Sequence, residues 1–172
     1  VSDAKLNALR ARNVGTEPPS LEALAGLNGG GRLRDDLIAM PEIRDADVVF
    51  LALHGGQGED GTVQALLDMA GVRYTGSGHL ASALAMDKDL SKVLFRAAGV
   101  QTADWLMAPQ SGALVEKSLG LPVVVKPSKQ GSTVGLSIVR DILDLDAAVA
   151  EAFRYDDEVM IERFIAGREL TV

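Results

Sequence analysis

The sequence predicts an α/β protein in two halves: an α/β layer with parallel strands, then helices mixed with a mostly antiparallel sheet. Two observations carry this. An apolar run at 47–53 leads through a glycine-rich turn into an amphipathic helix and a second short apolar run, which is a βαβ pattern. Further on, a strand of three valines, a polar loop and another short strand read as an antiparallel hairpin.

Residues 1–46 are the least informative. Leu6, Leu9 and Val14 suggest a short helix, and 16–20 and 28–31 carry loop signals. The triplet Gly29-Gly30-Gly31 is not read as a phosphate loop, because no buried strand precedes it. The run 47–53 is continuous in apolar character, the pattern of a strand buried on both faces. After the turn 54–61, Val63, Leu66, Leu67 and Ala70 share one face of a helix over 62–70, with Gly71 as its stop. A short strand at 72–75 follows, and Gly76-Ser77-Gly78 marks a boundary. Leu90, Val93, Leu94, Ala97 and Ala98 form an amphipathic stripe ended by Gly99. Strands are expected at 105–107, 121–126, 136–139 and 158–164. Asp144 is placed to cap a helix carrying Leu145, Ala148, Val149, Ala152 and Phe153.

Composition limits the function. With 47% hydrophobic and 24% charged residues the chain can form a core. The net charge is −7, and the 17 basic residues are scattered among 24 acidic ones, so a nucleic-acid partner is not expected. A small anion remains compatible, since it needs only a few local donors. There are no cysteines, which excludes thiolate catalysis and Cys-type zinc sites and fits a cytoplasmic setting. No apolar run approaches the ~20 residues that span a bilayer, so no membrane partner is expected, and no signal-peptide pattern is seen. Both ends read as cut: the chain opens on Val1 and closes on a strand barely begun.

Three segments carry candidate chemistry. The first, His54-Gly55-Gly56-Gln57-Gly58-Glu59-Asp60-Gly61-Thr62, stands at the carboxyl end of a predicted strand and before a helix N-terminus. Such a place suits a carboxylate ligand, and it equally suits a tight turn capped by Asp60 or Thr62. The second, Lys126-Pro127-Ser128-Lys129-Gln130-Gly131-Ser132-Thr133-Val134-Gly135, packs two lysines, two glycines and three hydroxyls into ten residues. It can fold over a triphosphate or serve as a mobile hairpin loop. It is not a Walker A loop, and a lysine ending a buried valine run needs an anionic partner. The third, 160–169, can offer strand-edge groups to an adenine and Glu169 to a ribose, or be an alternating strand with solvated charges. Lys88 sits at a helix start, where the macrodipole disfavours a cation, a hint that something else needs it there.

In this order and spacing these segments resemble the D-alanine–D-alanine ligases of the ATP-grasp superfamily. The most specific stretches are 54–62, 74–92 (YTGSGHLASALAMDKDLSK), 122–135 (PVVVKPSKQGSTVG) and 161–172 (IERFIAGRELTV). The resemblance implies a partial Rossmann-like amino-terminal domain over 1–76 and the central ATP-grasp domain over 77–172. It implies ATP as cofactor and D-alanine as substrate. Adenine and ribose would lie against Glu162, Arg163, Phe164, Ile165 and Glu169, with Arg163 and Ile165 acting through their backbones. Lys88 and Lys126 would meet the α- and β-phosphates. Ser132, the candidate catalytic residue, and Thr133 would close over the γ-phosphate. His54 would lie near the substrate carboxylate, supported by Glu59. The implied reaction runs through an acyl phosphate of one D-alanine, attacked by the amine of a second, to give the dipeptide used in peptidoglycan.

The sequence departs from that pattern. The Glu-x-Asn and its acidic partner, which the family uses for magnesium, are not found, and no asparagine follows Asn28. The amino-terminal Gly-Gly-x-Ser-x-Glu segment is also missing. Thr133 stands where a second serine is commoner. Magnesium is therefore implied without ligands, and the expectation is that these 172 residues alone show no ligase activity. A D-lactate- or D-serine-joining ligase and a non-catalytic nucleotide-binding module are the alternatives. A homodimer through the first half is the candidate assembly.

Overall fold

The computed structural model describes residues 37–168 and 170. The chain divides into two compact units, Val1–Leu37 and Ile38–Val172, and the second is the one described. The expected short helix near Leu6–Val14 and the loops at 16–20 and 28–31 lie outside the described residues, as does Glu169.

A 3₁₀ turn, Leu37–Ala39, and a single helical turn, α1 (Pro41–Arg44), come first. The run 47–53 forms one parallel bridge, Val49 with Tyr74, through Val49 N to Arg73 O (2.8 Å) and Thr75 N to Val49 O (3.0 Å). The parallel direction agrees with a βαβ unit. The expected burial on both faces does not hold: Phe50 is 77% exposed, and Val48 and Leu53 are exposed as well. A parallel strand becomes buried only with neighbours on both sides and helices over both faces, and among the described residues this one pairs on one side only.

Helix α2 (Thr62–Met69) buries Val63, Gln64 and Leu67; of the predicted face Leu66 is half-buried and Ala70 exposed, and Gly71 (φ 69°) follows its end. Helices α3 (His79–Met86) and α4 (Lys88–Ala97) meet at Asp87, whose Oδ1 accepts from Leu90 N at 3.0 Å and caps α4. The stripe at 90–98 is not the buried face of α4. Leu90, Val93, Leu94 and Phe95 are exposed, and the buried residue is Lys92. The polar edge of the helix faces the sheet instead.

Four strands follow: β1 (Trp105–Met107), β2 (Val123–Pro127), β3 (Ser137–Val139) and β4 (Val159–Arg163). They order β1-β4-β2-β3, with every neighbouring pair antiparallel. The predicted β2–β3 hairpin forms, and β4 inserts on the other side of β2. Helix α5 (Gly112–Leu119), which the sequence reading did not assign, is capped by Ser111 Oγ accepting from Leu114 N and followed by Gly120 at φ 71°. Helix α6 (Leu145–Ala152) follows a 3₁₀ turn at Ile142–Asp144. Asp144 stands at the N-cap position of α6 but its side chain makes no cap bond. Asp141 caps the turn instead, accepting from Leu143 N at 3.0 Å, because the turn starts three residues before the helix does.

Side chains alternate across the sheet, so its two faces differ. Val123, Val125, Val139, Val159 and Ile161 point to one face and pack with Val115 and Leu119 of α5 and Leu145, Ala148 and Ala152 of α6. That is the core. The ladder Trp105↔Glu162, Val124↔Glu162 and Lys126↔Met160 puts Trp105, Val124, Lys126, Met160 and Glu162 on the opposite face, toward α4.

Candidate functional site

Three lysines and one glutamate meet on that second face. Lys126 and Glu162 are diagonal neighbours on β2 and β4, and Lys126 Nζ donates to Glu162 Oε1. The other carboxylate oxygen, Oε2, accepts from Lys92 Nζ at 3.0 Å. Lys92 also donates to Thr102 Oγ1 at 2.7 Å and lies 5.0 Å from the centre of the Trp105 ring. Lys88, one helical turn before Lys92, reaches the same region. The Glu162 side chain is 14% exposed. Burial pushes its carboxyl up, but the bonds to Lys126 and Lys92 outweigh that and hold it below its ordinary value. The Lys88 ammonium is pushed down, first by burial and then by the neighbouring Lys126 charge. Lys88, Lys92 and Lys126 gather here, with the carboxylates of Asp156 and Asp87 also acting on Lys88, so the site offers ammonium donors to an anion.

The loop after β2 is tied at its near end and free at its tip. Ser128 O accepts from both the backbone N (3.2 Å) and Nζ (3.0 Å) of Lys88, and Gln130 O accepts from Lys88 Nζ at 2.6 Å. Lys129 N donates to Asp156 Oδ2 at 2.6 Å, and Lys129 Nζ pairs with Glu158 at 2.9 Å. Gly131, Ser132, Thr133 and Val134 are exposed. Ser132 has φ 55°, the left-handed region that few non-glycine residues adopt. The loop returns through Gly135 at φ 65°, where a Cβ would stand 2.7 Å from Tyr155 Cδ2 and 2.9 Å from Pro127 Cγ.

The turn 54–61 is compact. Gly55 N donates to Glu59 Oε2 at 2.6 Å, and Thr62 N to Asp60 Oδ1 at 2.9 Å, a local turn bond; the N-cap of α2 is neither Asp60 nor Thr62 but Gly61, without a side-chain cap bond. Gly61, the N-cap residue, has φ 93°, and a Cβ there would run into the His79 carbonyl oxygen. Two cavities join this turn to the loop after β2. One of about 500 Å³ is lined by Gly56, Asp60, Asp87, Lys129 and Gln130, and one of about 480 Å³ by Glu59, Ser77, Met86 and Gly131. Glu59 and the loop are thus brought together. His54 is exposed and lines neither cavity.

In the third segment, the Glu162 side chain turns to the lysines. Arg163 N donates to Asp104 O at 2.9 Å and Phe164 N to Pro122 O at 3.1 Å, while Ile165 is 66% exposed. Lys92 belongs to Asp87-Lys88-Asp89-Leu90-Ser91-Lys92, where charges at a helix start read as a solvated face; the structure buries it instead. The signal was present: Lys88 and Lys92, four apart, share one helix face.

A family model described as the D-ala D-ala ligase C-terminus matches residues 86–172, and one described as the D-ala D-ala ligase N-terminus matches 17–77. The second match reaches into residues 1–46, the least informative part of the sequence. A D-alanine–D-alanine ligase of Citrifermentans bemidjiense is 54% identical over 126 residues, covering 73% of this chain and 41% of the relative. The D-alanine–D-alanine ligase of Bacillus anthracis, solved as its ATP complex, superposes with TM-score 0.68 at 40% identity, over 77% of this chain and 44% of that one. The VanG D-Ala:D-Ser ligase of Enterococcus faecalis gives TM-score 0.66 at 37% identity, over 71% and 37%. The chain spans about two fifths of the length of the curated relatives it matches. A mixed helical and antiparallel-sheet fold, structural neighbours with the ATP-grasp fold, and a family model covering half of the residues lead to one conclusion: this chain belongs to the D-alanine–D-alanine ligase family.

Proposed function

We propose that the chain is the nucleotide-holding part of an ATP-dependent ligase that joins two D-alanines. The observation that carries this is the gathering of three lysines at the base of a Gly/Ser/Thr loop, Lys92 and Lys126 on Glu162 and Lys88 on the carbonyls of Ser128 and Gln130, in a chain whose net charge is −7. Inward lysine donors in an acidic chain suit a polyanion of small size. In this reading Lys88 and Lys126 neutralise the α- and β-phosphates. Backbone N–H groups of the loop, with Ser132 and Thr133, cover the γ-phosphate and keep water away from it. Adenine and ribose lie along Glu162, Arg163, Phe164, Ile165 and Glu169. Glu59, which lines a cavity under the loop, and His54, exposed outside both cavities, receive the carboxylate of the first amino acid. The division into domains at 76/77 then separates substrate-side from nucleotide-side residues.

When bound, ATP supplies the phosphoryl group that activates a carboxylate. The chain's own contribution is charge neutralisation and orientation. Magnesium is a different matter. Among the described residues no group of three or more His, Asp or Glu side chains could hold a metal ion, so no step through magnesium is assigned to them. No described helix is long and apolar enough to cross a membrane, and we place the enzyme in the cytoplasm. A homodimer through the amino-terminal residues is the assembly we propose.

Calorimetric titration with ATP tests the reading. Lys88→Met or Lys126→Met is expected to weaken ATP about ten- to hundredfold, the equivalent of a charge-assisted hydrogen bond of about 1.5–3 kcal/mol. Unchanged affinity in both variants would sink it. Phosphate release by the protein at its full natural length, with D-alanine, D-serine and D-lactate as second substrates, decides the product. The similarity to the Enterococcus faecalis enzyme is consistent with the D-serine alternative.

A further inference from the structure

Lys92 is 7% exposed and is the only charged residue buried to that degree among the described residues. A buried ammonium is costly unless it is paired and hydrogen-bonded. Its partners are Thr102 Oγ1 at 2.7 Å, Glu162 Oε2 at 3.0 Å and the face of Trp105. Trp105 is itself fixed, its Nε1 donating to Asp89 Oδ1 at 2.6 Å and its ring stacked by Arg96 at 4.2 Å. Lys92 does not touch the loop carbonyls that hold Lys88. It touches Glu162, and Glu162 touches Lys126.

The two carboxylate oxygens divide the work. A carboxylate with one oxygen anchored cannot swing about its last bond, so the direction of the other oxygen is set. Here the anchored oxygen is Oε2, and the directed one, Oε1, accepts from Lys126 Nζ. We propose that Lys92 is a positioning residue of the nucleotide site: through Glu162 it fixes where the Lys126 ammonium stands when a triphosphate arrives. The inference rests on the nucleotide reading above. Without Lys92, burial acts on Glu162 with one cation fewer to oppose it, and Lys126 loses its fixed acceptor.

The test is a double-mutant cycle on the protein at its full natural length, with MgATP as the titrant. Wild type, Lys92→Met, Glu162→Gln and the double variant are compared by calorimetry, with circular dichroism as the check on folding. Lys92→Met is expected to weaken MgATP by about tenfold. In the Glu162→Gln background the same change is expected to cost less than about twofold, because the path through Glu162 is already cut. Lys92→Met binding within twofold of wild type overturns the proposal, and so do losses that simply multiply. If Lys92→Met or Glu162→Gln does not fold, Thr102→Val decides. It keeps the lysine charge and removes one tether, so several-fold weaker binding supports positioning and unchanged binding overturns it. A wild-type protein that binds no MgATP fails earlier, on the nucleotide reading itself.

Discussion

Glu162 is the residue on which the site turns. Its carboxyl lies below its ordinary value of 4.5, so the folded state holds its proton less tightly than the unfolded chain. The sign follows from linkage: the stability it contributes is fully present above the ordinary carboxylate value and is lost as the pH falls through the lower, folded one. Glu162→Gln removes that contribution and leaves Lys126 and Lys92 facing a neutral amide. At neutral pH the variant is expected to be less stable, by no more than the about 3–5 kcal/mol seen when a fully buried pair is broken. The gap to wild type should close as the pH drops below the carboxylate range. Urea midpoints across that range check this, and a gap that widens in acid would contradict it. The residue scale also shows what a motif hides. Lys126 was legible as a lysine in need of an anion, but the anion is a glutamate two strand positions away on the diagonal, not the loop beside it.

At the scale of elements, β4 is central in the sheet, and Ile161 is fully buried between β1 and β2. Ile161→Ala is expected to cost about 2–5 kcal/mol, read as a lowered denaturant midpoint. The loop after β2 is sensitive at its return. Gly135→Ala places a methyl group against Pro127 and Tyr155 at a left-handed φ, so it should cost more than about 1 kcal/mol and weaken ATP as well. Wild-type affinity in that variant would mean that the exit of the loop does not shape the site. The strands 105–107 and 159–163 and helix 62–69 were close to legible, because alternation and helical spacing are local patterns. Helix α5 was passed over although Ser111 and Gly120 bracket it. The apolar stripe on α4 pointed to the wrong face, because the helix is held by Lys92 to β4 and by Lys88 to the loop after β2 rather than by its leucines.

For the molecule, charge sets the choice of ligand. A chain of net −7 repels extended polyanions, while its inward lysines attract one small enough to enter. Partly buried charges are screened less than exposed ones. ATP affinity is therefore expected to fall by less than about tenfold when salt is raised from about 50 to about 500 mM. A duplex oligonucleotide should show no retardation at concentrations where ATP saturates. A steep salt dependence, or duplex binding, would place the cationic surface outside the site described.

The sequence by itself determined the strands of the sheet, the glycine and lysine content of the loop and the family resemblance. These depend on residue type and on spacings of two to four, which the backbone converts directly into faces. The tertiary structure alone decided which charges meet. Lys92 and Glu162 are 70 residues apart, and Lys126 and Glu162 are 36 apart. Their convergence depends on the register of β2 against β4 and on the rotation of α4 over the sheet. No local pattern encodes either, because both are set by the packing of the opposite face.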